Sequence, residues 1–216
     1  MKRVFGTVEV IFDISYLITA SILGFILLLS SFSNHARFLS SIMALILVGG
    51  DAFHLIPRIM LIRTGKEIEL RKKLGRGKQI TSISMTLFYL ILWHIGVLIF
   101  SSNNMVIYSY TIYILAIIRI VLCFMPQNKW EERYPPLFWG IIRNIPFLIQ
   151  GMLVAYFYFI NRGIKAEFSL MWFAIIISFA FYIPVVLFSN KNSKIGMLML
   201  FKTCSYLWML VMCMSL

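Results

Sequence analysis

The chain is a succession of apolar runs, each about the length that crosses a bilayer (about 20 residues), separated by short polar stretches. The runs fall at residues 8–29, 39–62, 80–100, 105–124, 137–160, 168–188 and 195–216. This pattern predicts an all-α polytopic membrane protein, a bundle of about seven transmembrane helices. The connections are short, so residues 1–216 are expected to form a single integral membrane domain with no soluble part. The longest connection, RTGKEIELRKKLGRGKQ, predicts a short amphipathic or irregular segment, and SSNN at 101–104 a tight turn. PPLFWG opens the fifth run with prolines where a missing N–H is tolerated, flanked by Trp130 and Trp139 at headgroup level. Pro57, Pro146 and Pro184 lie inside runs, where each removes a helical hydrogen bond. Gly49-Gly50, just before Pro57, permits close helix approach.

Composition strengthens this picture: 61% of residues are hydrophobic and the mean hydropathy is +0.89. The net charge of +12 invites a nucleic-acid reading, but its distribution argues against one. Lys2, Arg3, the block 58–78, Lys129, Arg133, Lys191 and Lys194 fall at alternate ends of the runs. The opposite connections carry only Arg37, Arg162 and Lys165. This positive-inside asymmetry predicts a cytosolic N-terminus and an external C-terminus. The partners expected are the lipid bilayer and a lipid-like or small polar substrate, with no nucleic acid; the expected setting is a bacterial cell membrane. MKR before an apolar run has the outline of a signal peptide. Glu9 and Asp13 interrupt the run and no A-x-A site follows, so it is expected to be kept as the first helix.

The candidate chemistry lies inside the runs. Asp51, His54 and Arg58 follow i, i+3, i+7 spacing, which places them on one helical face. A charge at membrane depth costs about 2.5–3.5 kcal/mol on insertion scales, so such residues face a bundle interior. Glu9, Asp13, Arg119, Arg143 and Lys202 join them in the cytosolic half, and His94 alone falls in the outer half. Asp51 within a turn of His54 is the minimum arrangement for orienting an imidazole and moving a proton. Asp13 is a second candidate carboxyl, while Arg58, His94, Arg143 and Lys202 are candidate substrate-binding groups, the basic ones suited to an anionic headgroup. The alternative for the whole set is a structural ion network, with the acids and bases neutralising one another. No metal site is expected, since His35, His54 and His94 lack i, i+4 pairing. Nor is a cofactor implied. Cys123, Cys204 and Cys213 form no C-x-x-C pair and are expected to act as small apolar fillers.

GGDAFHLIPR followed by FYLILWH resembles a pattern in YhhN-type lysoplasmalogenases, small polytopic enzymes. The resemblance carries over to Asp51 and to His94, and implies a hydrolase of lysolipid-like substrates. That family's second aspartate, in the C-terminal half, has no counterpart, because no acid follows Glu167. The family also has eight spans. Progestin/adiponectin-receptor and alkaline-ceramidase relatives need an H-x-x-x-H in the last span, which holds no histidine. Microbial rhodopsins would use Lys202, but the acid they place four residues earlier is Leu198 here. Two functions therefore stand: an intramembrane lipid-acting hydrolase using Asp51, His54 and Asp13, or a transporter of a small polar or anionic solute using the same residues.

Overall fold

The computed structural model describes residues 2–32, 34–101, 105–189 and 192–216. Lys191 and most of the expected 101–104 turn lie outside these described residues. Seven helices run α1 (Lys2–Leu29), α2 (His35–Thr64), α3 (Glu67–Phe100), α4 (Val106–Phe124), α5 (Leu137–Ile160), α6 (Met171–Phe188) and α7 (Leu198–Cys213). All seven, some together with the short 3-10 turn before them, are long and apolar enough to cross a membrane. Such all-helical architecture is compatible with a multi-pass membrane protein, because a helix satisfies its backbone hydrogen bonds within itself.

Sequence neighbours pack side by side, and α7 returns against α1 and α2 to close the bundle. α3 is the inner helix: 56% of its most apolar window is buried, against 22–33% for the other six. It touches α2, α4 and α5. Its core residues Phe88, Tyr89, Leu92 and Trp93 belong to one buried cluster with Tyr16, Phe147, Tyr158 and Tyr206 from the surrounding helices. The outward faces are apolar instead, with Ile11, Ile18, Ile22 and Phe25 exposed on α1 and Ile107, Ile114, Ile117 and Val121 on α4. An apolar exterior around a partly polar interior fits lipid as the surrounding solvent.

Of the amphipathic and irregular forms open to the polar segment after α2, the structure has a helical one, because α3 begins at Glu67 and runs through it. Two features account for this. Gly65 adopts φ 70 and caps α2, its N–H donating to the Leu61 carbonyl, a left-handed position that glycine takes at little cost. Glu67 and Glu69 then occupy the first turn of α3, where negative charge complements the helix dipole. Glu67 pairs with Arg71 at 3.6 Å and with Arg133 at 3.2 Å, and Arg76 with Glu131 at 3.7 Å, fastening this extension to the α4–α5 connection.

α2 and α3 make the most extensive contact in the bundle. A Cβ on Gly77 would strike the Phe53 carbonyl and His54 Cα, so glycine is what allows the two backbones to lie so close. Phe53 is the residue whose carbonyl Pro57 deprives of a helical donor, and α2 nonetheless runs through Pro57 unbroken. One turn further on, Thr81 donates to the Gly50 carbonyl at 2.8 Å. The α2–α3 turn, the α4–α5 connection and the start of α7 share one end of the bundle, termed here the basic end.

Candidate functional site

The polar interior begins at the seam between α1 and α2. Tyr16 donates its hydroxyl hydrogen to Asp51 Oδ2 at 2.7 Å, and Arg58 pairs with Glu9. Glu9 and Tyr16 are seven residues apart on α1, as Asp51 and Arg58 are on α2, so the two contacts share one antiparallel register. That register sets Asp13 level with His54, although no hydrogen bond joins them among the described residues. Asp13 is 5% exposed, and its Oδ2 has no hydrogen-bond partner.

No hydrogen bond joins Asp51 to His54 among the described residues. Asp51 is held by Tyr16, while His54 Nδ1 is buried without a partner. The charges acting on His54 are cations: Lys78, Arg58 and Lys202. Helical geometry explains the separation. At about 100° per residue, Asp51 and Arg58 differ by about 20° around the axis, whereas His54 is about 60° away from Asp51. The first two therefore face α1, and His54 lies round toward α3, whose Gly77 closely approaches its Cα.

The cations on α4, α5 and α7 form a second group. Arg119 lies under the bundle surface at 1% exposure, its guanidinium 3.3 Å from the centroid of the Phe147 ring. Lys202 Nζ sits 4.4 Å from the centroid of the Tyr182 ring and 5.1 Å from that of Tyr206. Arg143 donates to Asn128 Oδ1 at 2.7 Å and lies over the Trp130 ring at 4.1 Å. Asn128 in turn donates to the carbonyls of Leu122 and Met125, closing the end of α4. Tyr182 donates to Asn144 Oδ1 at 2.8 Å, joining α6 to α5.

The acids and bases thus do not neutralise one another pairwise. Acids line α1 and α2, the cations face in from α4, α5 and α7, and the partly exposed Glu9–Arg58 is the one ion pair among these residues. Lys202 acts on Asp51 electrostatically from beyond ion-pair distance. Asp13, Asp51, His54, Arg58 and Lys202 belong to one region, with Arg143 nearer the basic end. His94 does not belong: its Nε2 shares a 2.8 Å hydrogen bond with the Tyr113 hydroxyl in the other half of the bundle. Among the described residues no three of His, Cys, Asp and Glu converge as metal ligands. Cys123 and Cys213 are buried, whereas Cys204 is exposed on the apolar surface.

The sequence pattern does not single out Tyr16, Tyr182 or Asn128, whereas i, i+4 spacing does put Tyr206 on the face of Lys202. Tyr16 carried a usable signal, lying three residues after Asp13 on the same face. Arg119 was recognisable as a charge inside a run without being assigned to the site. No protein-family model, curated protein or solved structure matches the chain.

Proposed function

We propose that the protein is a membrane-embedded hydrolase of a lipid-like substrate in which the carboxyls of Asp51 and Asp13 supply the acid–base chemistry. The observation that carries this reading is the Asp13 carboxyl oxygen, buried and unpartnered, one turn from the Tyr16–Asp51 hydrogen bond. Carboxyls that no cation contacts are poor structural cement but are free to take up and release protons. One can activate water while the other protonates the leaving oxygen, so that water is added across the scissile bond. Tyr16 positions Asp51. His54, lacking a carboxylate partner, serves as a hydrogen-bonding group toward substrate and not as the base of a dyad.

Two further arguments support this reading. The positive-inside asymmetry puts the basic end in the cytosol, so substrate enters from the cytosolic leaflet of a bacterial cell membrane. The resemblance of GGDAFHLIPR and FYLILWH to YhhN-type lysoplasmalogenases makes lysolipids the first substrates to assay. Purified protein should hydrolyse a member of a lysolipid panel. Asp51→Asn and Asp13→Asn should each lower turnover about 10²–10⁴-fold while the protein stays folded. Absence of turnover across the panel, together with Asp51-dependent uptake of a polar solute into liposomes, would replace the enzyme with a transporter built on the same midplane residues.

A further inference from the structure

Arg119 and Lys202 are held by aromatic rings where buried cations are usually held by acids. A ring face attracts a cation without cancelling its charge and without using its N–H donors. Arg119 retains this unused capacity: its Nε and Nη1 have no hydrogen-bond partner in the protein. The ionisable side chains acting on it are Tyr182, Cys123, Tyr206 and Arg143, with Tyr89 on α3 and Lys202 on α7, and no carboxylate is among them. The single acid acting on Lys202 is Asp51, which already accepts the Tyr16 hydroxyl. Neither Arg119 nor Lys202 enters an ion pair among the described residues. Arg58 is different, being occupied by Glu9, and Arg143 is occupied by Asn128.

This corner of the bundle therefore has two cations 1% and 5% exposed, spare donors, and one distant carboxylate, which acts on Lys202 and not on Arg119. A buried charge without a counter-ion is costly, and one oxyanion between α4 and α7 would supply both the missing charge and the missing acceptors. Arg119 is five residues from the end of α4 and Lys202 four from the start of α7. Both are thus about 6–8 Å inside the basic end, within reach of a headgroup whose chain stays in the bilayer.

We propose that Arg119 and Lys202 form a buried receptor for one phosphate group, Arg119 through directed N–H donors and Lys202 as a point charge, walled by the rings of Phe147, Tyr182 and Tyr206. The phosphate is either free or the headgroup of a lysolipid. Only the second source rests on the hydrolase reading; the receptor itself does not.

The test is thermal unfolding of the full-length protein in neutral detergent at constant ionic strength. The probes are inorganic phosphate, lysophosphatidic acid and, as the neutral comparator, a monoacylglycerol. Phosphate or lysophosphatidic acid should raise the melting temperature beyond the comparator. A shift with inorganic phosphate identifies a small anion as sufficient, and a shift with lysophosphatidic acid alone identifies the lipid. Arg119→Met and Lys202→Met should each weaken the apparent affinity about 10- to 100-fold, the value of a charge-assisted hydrogen bond. Without ligand, Arg119→Met should melt no lower than the parent, because it removes an uncompensated buried charge. If Arg119→Met fails to fold, Arg119→Lys and Lys202→Met carry the same comparison. Asp51→Asn, which removes the proposed acid–base group, should keep the phosphate shift, so failure of the chemistry and failure of the receptor are separable. No shift with either phosphate probe, or a shift undiminished in the Arg119 and Lys202 variants, overturns the proposal.

Discussion

Replacing Tyr16 with Phe isolates the hydrogen bond that ties α1 to the middle of α2. The ring is 1% exposed and packs in the core, and Phe preserves that packing, so the change removes the hydroxyl and little else. The lost contact is a 2.7 Å hydrogen bond to a carboxylate. Hydrogen bonds to charged groups contribute about 1.5–3 kcal/mol, against about 0.5–1.5 for neutral pairs. Tyr16→Phe should therefore lower unfolding free energy by about 1.5–3 kcal/mol if Asp51 is ionised in the fold, and by about half that if it is protonated. A double-mutant cycle with Asp51→Asn separates this bond from incidental effects, measured by reversible denaturant unfolding in mixed micelles. Asp51→Asn alone should cost less than the roughly 3–5 kcal/mol of a broken buried ion pair, because Lys202 stands beyond pairing distance. The coupling energy should exceed 1 kcal/mol, well outside the ~0.3–0.5 kcal/mol within which independent sites add. Coupling inside that band would refute the view that the Tyr16–Asp51 contact holds the seam.

Three other outcomes follow from the same structure. A reporter fused after Lys73 should be inactive when it requires the external side; activity there would reverse the orientation and the leaflet from which substrate enters. Gly77→Leu should abolish stable expression, and Gly77→Ala should cost about 1–3 kcal/mol as overpacking does. Parent-like melting of Gly77→Leu would contradict the close α2–α3 approach. The double change Glu9→Gln with Arg58→Gln should move stability by no more than about 1 kcal/mol, as for exposed pairs, since the two side chains are 21% and 42% exposed. A larger loss in the same unfolding assay would mean that the pair is desolvated.

The helices were legible where hydropathy marks both ends. α5 begins at Leu137 and ends at Ile160 as the sequence predicts, because Pro135-Pro136 and Asn161-Arg162 bound the apolar run sharply. The first turns of α3 were not legible, because nothing apolar identifies them. Their helicity depends on the Gly65 cap and on ion pairs to a connection some sixty residues away, which local pattern does not encode. The site divides in the same way. Spacing put Asp51, His54 and Arg58 on one face, but that face is wide enough to touch two different helices. Which neighbour each residue meets depends on how α2 is rotated in the bundle, and Tyr16 and Gly77 record that rotation from the other side. Arg119 looked like one member of a balanced set because charge counting ignores ring faces, which hold a cation and leave no mark in the sum.

The shared register of Glu9–Arg58 and Tyr16–Asp51 works like two pins through a pair of sliding rails. A helix that slips along its neighbour by one turn travels about 5.4 Å, enough to pull both pins at once; Asp13 then arrives opposite Arg58, but Asp51 is left facing Ala20 with no donor. Sliding is therefore closed to α1, whereas rotating away from α2 about one end releases the pins one after the other, the more exposed Glu9–Arg58 pin at the basic end first. Any opening of the bundle at this seam should proceed as unzipping from the basic end, with Tyr16 and Asp51 the last to part.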